Sequence, residues 1–307
     1  MNKRNFAFFW GCQIPARFPF MEKSTRLVLD RLGIPYRDID GFTCCPEKTL
    51  VKNMDPDLWK TMAARNIAVA EKEGLDLLTA CNGCYSTLKS VASDLKTYPK
   101  SLKAINEKLK LLNLEFGVNK YNITHLIELF HDDIGVFDIK KSLKKTMEGI
   151  KIAVHGGCHL MRPSKSVHFD DPIKPTKYDN LIEALGAKSV AYNTKTLCCG
   201  GSLDRVDQKE KAMDMARTKL REIKTLKVDA ISTTCPECFR VFDNTQLVLK
   251  KSDKGYHIPI FTYPELLALG MGFEPEEMGL DNHRTPCHPF LEKFNQINAE
   301  RKVDVKA

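Results

Sequence analysis

Eleven cysteines in 307 residues are more than packing alone requires, and ten of them are ordered. Cys12, Cys44, Cys45, Cys81 and Cys84 read C-x31-CC-x35-C-x2-C. Cys158, Cys198, Cys199, Cys235 and Cys238 read C-x39-CC-x35-C-x2-C. One long spacing is identical in the two copies and the other differs by eight residues. This is an internal duplication, and it sets the number of domains. Cys287, in the run Thr-Pro-Cys-His-Pro, has no counterpart and reads as a free thiol; nothing around it and His283 and His288 completes a metal-ligand set.

A structural zinc takes four ligands, often from two C-x-x-C pairs. Each copy here offers five: one C-x-x-C, one adjacent pair and one distant single cysteine. Neighbouring side chains in an extended segment point apart, so an adjacent pair suits an object larger than a single ion. All-thiolate sites favour iron–sulfur or zinc, and the spacing is neither the bacterial nor the plant ferredoxin pattern. Iron–sulfur clusters are the leading expectation. Zinc in at least one copy, or unligated thiols and disulfides, are the alternatives.

The elements around the cysteines repeat as well. Asn5–Trp10 leads into Gly11-Cys12 and Lys151–Val154 into His-Gly-Gly-Cys158; each reads as a short buried strand entering a glycine-containing loop. Leu75–Thr79 precedes the first C-x-x-C and Val228–Thr233 the second, again as strands running into cysteine loops. Helical patterns lie between: Met21–Leu32 before Gly33, Asp57–Glu73 before Gly74, Leu181–Leu185 before Gly186, and a weaker one over Asp207–Lys224. Alternating strands and helices predict two α/β units with mostly parallel sheets, whose sites gather beyond the carboxyl ends of the strands. The first cysteine unit is read over 1–95, a packed helical connector over 96–150, the second unit over 151–250 and an extension over 251–307. Within that extension Thr262-Tyr263-Pro264-Glu265 has capping-box spacing and opens a short helix to Leu269. The tail from Glu274 reads as charged and extended.

Length agrees with about two domains, and 43% hydrophobic with 28% charged residues is the composition of an ordinary globular protein. The longest apolar run, Phe6–Trp10, is far short of the roughly 20 residues that span a bilayer, and the start is too short for a signal-peptide core. Neither membrane spanning nor secretion is expected, and so no disulfide framework. A cytoplasmic location follows as the expectation. The formal charge is +8.

The double motif resembles the cysteine-rich CCG domain, which occurs twice in the B subunit of the CoB–CoM heterodisulfide reductases of methanogenic archaea. The resemblance extends over nearly the whole chain, in FFWGCQIPARFPFMEKSTR, GFTCCPE, AARNIAVAEKEGLDLLTACNGCYSTLK, VHGGCHLMRPSK, LCCGGSLDR and LALGMGFEPEEMGLD. The motif alone also occurs in subunits of glycolate, lactate and archaeal-type succinate dehydrogenases. The second copy reads CCGGS where many relatives have a longer glycine run.

The resemblance implies two Rossmann-like domains in a pseudo-twofold arrangement. It implies one noncubane 4Fe-4S cluster on Cys12, Cys44, Cys45, Cys81 and Cys84, and another on Cys158, Cys198, Cys199, Cys235 and Cys238. The two would face each other across the disulfide CoM-S-S-CoB, each taking one thiol half. An oxidoreductase acting on a sulfur group follows. Its partners would be the ferredoxin-like iron–sulfur subunit and the flavin-containing subunit of the heterodisulfide reductase, fed by a hydrogenase or formate dehydrogenase. Ten thiolates around two cores of about 2+ would bring the net charge down to about +2. The basic excess is then compensation for clusters and an anionic substrate, and no nucleic-acid partner is expected. Two other readings stand beside this one: an iron–sulfur relay subunit of a dehydrogenase, and a zinc-stapled interaction protein.

His159, directly after Cys158, is the candidate to supply a proton or bond a thiolate product. His155, at a strand end, reads as structural. Among the basic residues after cysteine loops, Arg162 and Arg205 are the favoured substrate contacts, ahead of Arg17, Lys165 and Lys209. Gly11, Gly83, Gly156, Gly157, Gly200 and Gly201 would let backbone approach a cluster.

Overall fold

The computed structural model describes residues 4–251 and 255–304, with the side chains of 302–304 left aside. The first three and last three residues of the expected outer units, and 252–254, lie outside the described residues.

Two four-stranded parallel sheets form the centre. The first holds β1 (Phe6–Phe9), β2 (Tyr36–Arg37), β3 (Asp76–Thr79) and β4 (Ile123–His125) in the order β2-β1-β3-β4. The second holds β5 (Lys151–His155), β6 (Lys188–Ser189), β7 (Ala230–Thr233) and β8 (Ile260–Thr262) in the order β6-β5-β7-β8. The orders are the same, and so are the registers: Phe9 pairs with Thr79 and His155 with Thr233 at matching places. Every residue of β1 and β7 is buried. Continuous apolar runs are what a parallel sheet covered on both faces demands.

The helices follow local rules. Pro19–Leu32 begins on a proline and ends at Gly33 in the left-handed region, φ 63°. Pro56–Lys72 is capped by Asp55, whose carboxylate accepts from the backbone N–H of Asp57 and Leu58. Thr262 and Glu265 form the expected capping box, although the helix runs to Gly270.

Three sequence expectations change. The connector is not wholly helical: Asn122-Ile123-Thr124-His125 is extended and β4 pairs Ile123 with Leu77, the helical turn starting only after His125. The tail is not extended: His288–Asp304 is a helix. Phe290 and Phe294, one turn apart, go under the sheet beside Phe261 (ring centroids 4.7 Å for Phe261–Phe290), and Pro289 sits in the first turn, where its missing N–H costs nothing. The two C-x-x-C segments are not loops: Cys81 stands at the N-cap position of helix Asn82–Thr97 and Cys235 at that of helix Pro236–Leu249, with the rest of each motif in the first helical turn.

The halves face each other through the carboxyl ends of their sheets. Asn82 Nδ2 donates to the Gly156 carbonyl at 2.6 Å, Thr234 Oγ1 donates to Asn82 Oδ1 at 2.7 Å, and Ser86 Oγ donates to the Arg162 carbonyl at 2.9 Å. Phe18 and Phe20 meet Phe239 at 5.4 and 5.5 Å. Helix Tyr263–Gly270, after β8, packs on Pro19–Leu32 of the first half; the turn Leu129–Ile134, after β4, packs on Lys177–Ala184 of the second. This reciprocal packing is the pseudo-twofold relation expected of a duplicated α/β domain.

Candidate iron–sulfur centre

All ten motif cysteines line one cavity between the halves, which encloses about 780 Å³ with its mouth included. Each set reaches it from three places: the loop after the first strand, the adjacent pair before the long helix, and the C-x-x-C at the head of the next helix. The N-termini of Asn82–Thr97 and Pro236–Leu249 point free backbone N–H groups and positive dipole ends at the sulfurs, which favours thiolates there. Backbone N–H groups of Glu237 and Cys238 help to hold the Cys235 thiol down.

The thiols are crowded. Cys158 and Cys198 sulfurs lie 3.7 Å apart. So close together they cannot all ionise: Cys198, bonded by Cys158, and Cys235, bonded by Cys238, are held well below the ordinary thiol value. Cys84, against Cys45, and Cys238, against Cys199, are pushed well above it. Ten sulfurs that cannot carry their charge without cations among them fit iron–sulfur ligation.

Two glycines show how tightly the backbone wraps the sulfurs. A Cβ at Gly11 (φ +71°) would lie 2.9 Å from Cys84 Sγ, and one at Gly157 (φ +76°) 3.5 Å from Cys238 Sγ and 2.5 Å from Asn82 Nδ2. The pairs Gly11–Cys84 and Gly157–Cys238 are the same contact in the two copies. Matching cations also pin the loops before the adjacent cysteines: Arg65 Nη1 donates to Gly41 O at 2.6 Å, and Lys219 Nζ donates to Thr194 O and, at 3.2 Å, to Lys195 O.

Of the other sequence candidates, His159 and Arg205 line the cavity. Burial, with Lys48 nearby, lowers the His159 imidazole from its ordinary value. Arg205 Nη2 donates to Glu237 Oε2 at 2.8 Å. Arg162 does not reach the cavity. The helix Cys158–Met161 ends there, the chain turns extended, and the exposed guanidinium donates to the Pro172 carbonyl at 3.2 Å. Lys165 is exposed and Lys209 pairs with Asp207 in solvent. Arg17 lines a separate cavity with Phe18, Phe20 and Arg240. Cys287 is buried away from the ten, its sulfur 3.3 Å from His283 Nδ1, while His288 is exposed.

Sequence reasoning missed Lys48, Glu47 and Gln13. Lys48 Nζ donates to Ser86 Oγ at 2.7 Å and Ser90 Oγ at 2.8 Å, with no carboxylate partner among the described residues, and burial lowers it to about 8. Glu47 Oε1 accepts from Ser202 Oγ at 3.3 Å across the rim. Gln13 Oε1 is buried beside Cys12 without a partner among the described residues. Only a lysine three residues past the adjacent cysteines hinted at any of them.

Comparison with known proteins agrees with the geometry. The family model of the cysteine-rich CCG domain matches residues 6–89 and again 152–243. The B subunit of the ferredoxin:CoB-CoM heterodisulfide reductase of Methanosarcina mazei is 37% identical over 302 residues, covering 97% of this chain and 99% of its own. The 8-methylmenaquinol:fumarate reductase membrane anchor subunit of Wolinella succinogenes is 28% identical over 286 residues, covering 92% and 97%. A hypothetical protein from Helicobacter pylori shares the fold with a TM-score of 0.70 at 18% identity, over 93% of this chain and 52% of that one. Among the described residues no helix is long and apolar enough to cross a membrane. Twice-repeated cysteine domain, shared sheet order and full-length similarity together place the chain in the cysteine-rich CCG family of iron–sulfur oxidoreductase subunits, in the group of the heterodisulfide reductase B subunits.

Proposed function

We propose that the chain is the catalytic subunit of a cytoplasmic heterodisulfide reductase that reduces CoM-S-S-CoB to coenzyme M and coenzyme B. The observation that carries this reading is the meeting of two equivalent five-thiol sets in one cavity. Cys12, Cys44, Cys45, Cys81 and Cys84 hold one noncubane 4Fe-4S cluster, and Cys158, Cys198, Cys199, Cys235 and Cys238 hold the other. When bound, such clusters supply one-electron centres on either side of the disulfide. Two electrons and two protons convert the disulfide to two thiols.

The chain's own residues do the rest. Asn82 and Thr234 fix the separation of the two halves. Arg205 and Lys48 offer cationic donors to the anionic groups of the substrate. His159 stands in the wall where a proton is needed. Trp10 and Pro236 keep part of the lining apolar, which excludes water.

The chain carries no ferredoxin-type motif of its own. Electrons therefore reach it through an iron–sulfur subunit, with a flavin subunit and a hydrogenase or formate dehydrogenase upstream. Similarity to a fumarate reductase subunit favours, as second reading, a relay that passes electrons on without disulfide chemistry.

Anaerobically prepared protein should contain about eight irons per chain, with matching acid-labile sulfide. Together with its iron–sulfur partner and a dye donor it should reduce CoM-S-S-CoB. Zinc in place of iron would overturn the cluster assignment. Full iron without heterodisulfide turnover would give the relay reading instead.

A further inference from the structure

The two five-thiol sets are equivalent in spacing and scaffold, yet one position beside them differs in chemistry. Phe9 ends β1 three residues before Cys12, and His155 ends β5 three residues before Cys158. Each pairs in register with the threonine two residues before its C-x-x-C, Thr79 or Thr233. In the first half this place is filled by an apolar ring against Phe42, at 5.1 Å. In the second it is filled by an imidazole edge-on to Phe242, at 4.8 Å.

That imidazole is fully buried, and neither ring nitrogen has a hydrogen-bond partner within normal reach among the described residues. A ring nitrogen, Cys199 Sγ and Cys238 Sγ all lie within 4.8 Å of one another. An unmade hydrogen bond on a buried polar ring is costly. A native protein keeps such a group where something else satisfies it. The sulfurs of Cys199 and Cys238, within 4.8 Å, are acceptors that a small shift of the ring brings to bonding distance, and the Lys195 backbone is the other group facing it. A neutral imidazole holds one N–H to donate, and five thiolates already serve as ligands, so a sixth is not required.

On the reading that both sets hold clusters, we propose that His155 is a positioning residue of the second centre, donating a hydrogen bond to the sulfur of Cys199 or Cys238. The first centre, with Phe9, lacks this bond. A hydrogen bond to a ligand sulfur stabilises the more negative, reduced state and raises the potential. This bond favours reduction of the second centre over the first, against Arg205, whose charge faces Cys12, Cys44 and Cys81 of the first set, and gives the pseudo-symmetric pair a built-in difference. Lys219, buried beside the same sulfurs where the first half has the more exposed Arg65, acts in the same sense.

The test uses the full-length, cluster-loaded protein as wild type, His155→Phe and His155→Gln. The Phe variant copies the first half's own residue, and Gln restores a donor. Iron and sulfide are measured, and the two centres are titrated electrochemically under electron paramagnetic resonance. His155→Phe should keep its iron and shift the second centre's reduction equilibrium about tenfold toward the oxidised form, ~59 mV for one electron. The first centre should not move, and Gln should recover part of the shift. Unchanged potentials in both variants with full iron would reduce His155 to packing and overturn the proposal. Loss of about half the iron in both would make it a ligand and overturn it equally. Wild-type protein without iron in the second set would instead sink the cluster reading beneath it.

Discussion

Asn82 Nδ2 donates to the Gly156 carbonyl at 2.6 Å, so a residue inside the first half's C-x-x-C holds the loop that carries the second half's first cysteine. Thr234 Oγ1, one residue before Cys235, completes the link by donating to Asn82 Oδ1. The side chain is almost fully buried. The two five-thiol sets are thus spaced by one amide.

Replacing that amide should loosen both sets together. Asn82→Leu removes a donor and an acceptor and should cost about 1–3 kcal/mol of stability. Thermal unfolding of the metal-free chain reads the loss. Iron content of the loaded protein should fall in both halves, whereas a change local to one half would show that the link is not shared.

Single ligand losses should be confined to one set. Cys45→Ala or Cys235→Ala should each remove about half the iron, while Cys287→Ala, whose thiol lies under His283, should keep all of it. Iron and sulfide analysis separates the three variants.

The close approach at Gly11 gives a sharper probe of the first set. Gly11→Ala places a methyl 2.9 Å from Cys84 Sγ at a φ of +71°, where a side chain costs roughly 1–2 kcal/mol on its own. Cluster retention in the first half should drop with the second half untouched. Equal retention would mean that the sulfur moves freely.

Cations in the cavity wall should act on substrate binding rather than on cluster assembly. Arg205→Gln should raise the KM for an anionic disulfide about tenfold or more, the worth of one charge-assisted bond of roughly 1.5–3 kcal/mol. Glu237, left without Arg205, keeps its bond to Arg240. Arg162→Gln, whose side chain faces the Pro172 carbonyl outside the cavity, should leave KM unchanged in the same dye-linked assay.

Stability should depend on pH through His283. Burial opposes charge on this ring, but Glu265, 2.8 Å from Nε2, and Cys287 outweigh it and raise the imidazole from 6.5 to about 10. A group raised in the folded state contributes its full stability below its unfolded value and loses it as the pH climbs through the folded one. The contribution is therefore complete below about pH 6.5 and gone above about pH 10. His283→Gln should flatten this part of the melting-temperature profile between those limits.

Much of this was legible because the cysteines announce themselves. Their spacing marked the duplication, and continuous apolar runs such as Phe6–Phe9 marked the buried parallel strands. Residues whose placement depends on chain direction after a ligand were harder to read. Arg162 and Arg205 both follow cysteines closely, yet only the second turns inward. Lys48 carries no motif and faces the cavity because a wide helical turn, Lys48–Lys52, follows the adjacent pair. The tail helix hid behind its prolines, since two phenylalanines one turn apart are too short a stripe to register as periodic. The edge strands β2 and β6 are two residues long and leave no pattern at all.

The exchange of helices between the halves bears on access to the cavity. Tyr263–Gly270 lies on the first half and Leu129–Ile134 on the second, so swinging the halves apart would strip both from their seats at once. In this structure the halves form a closed clamp. Whatever enters the cavity passes its mouth, and widening that mouth by parting the halves would cost both seats at once.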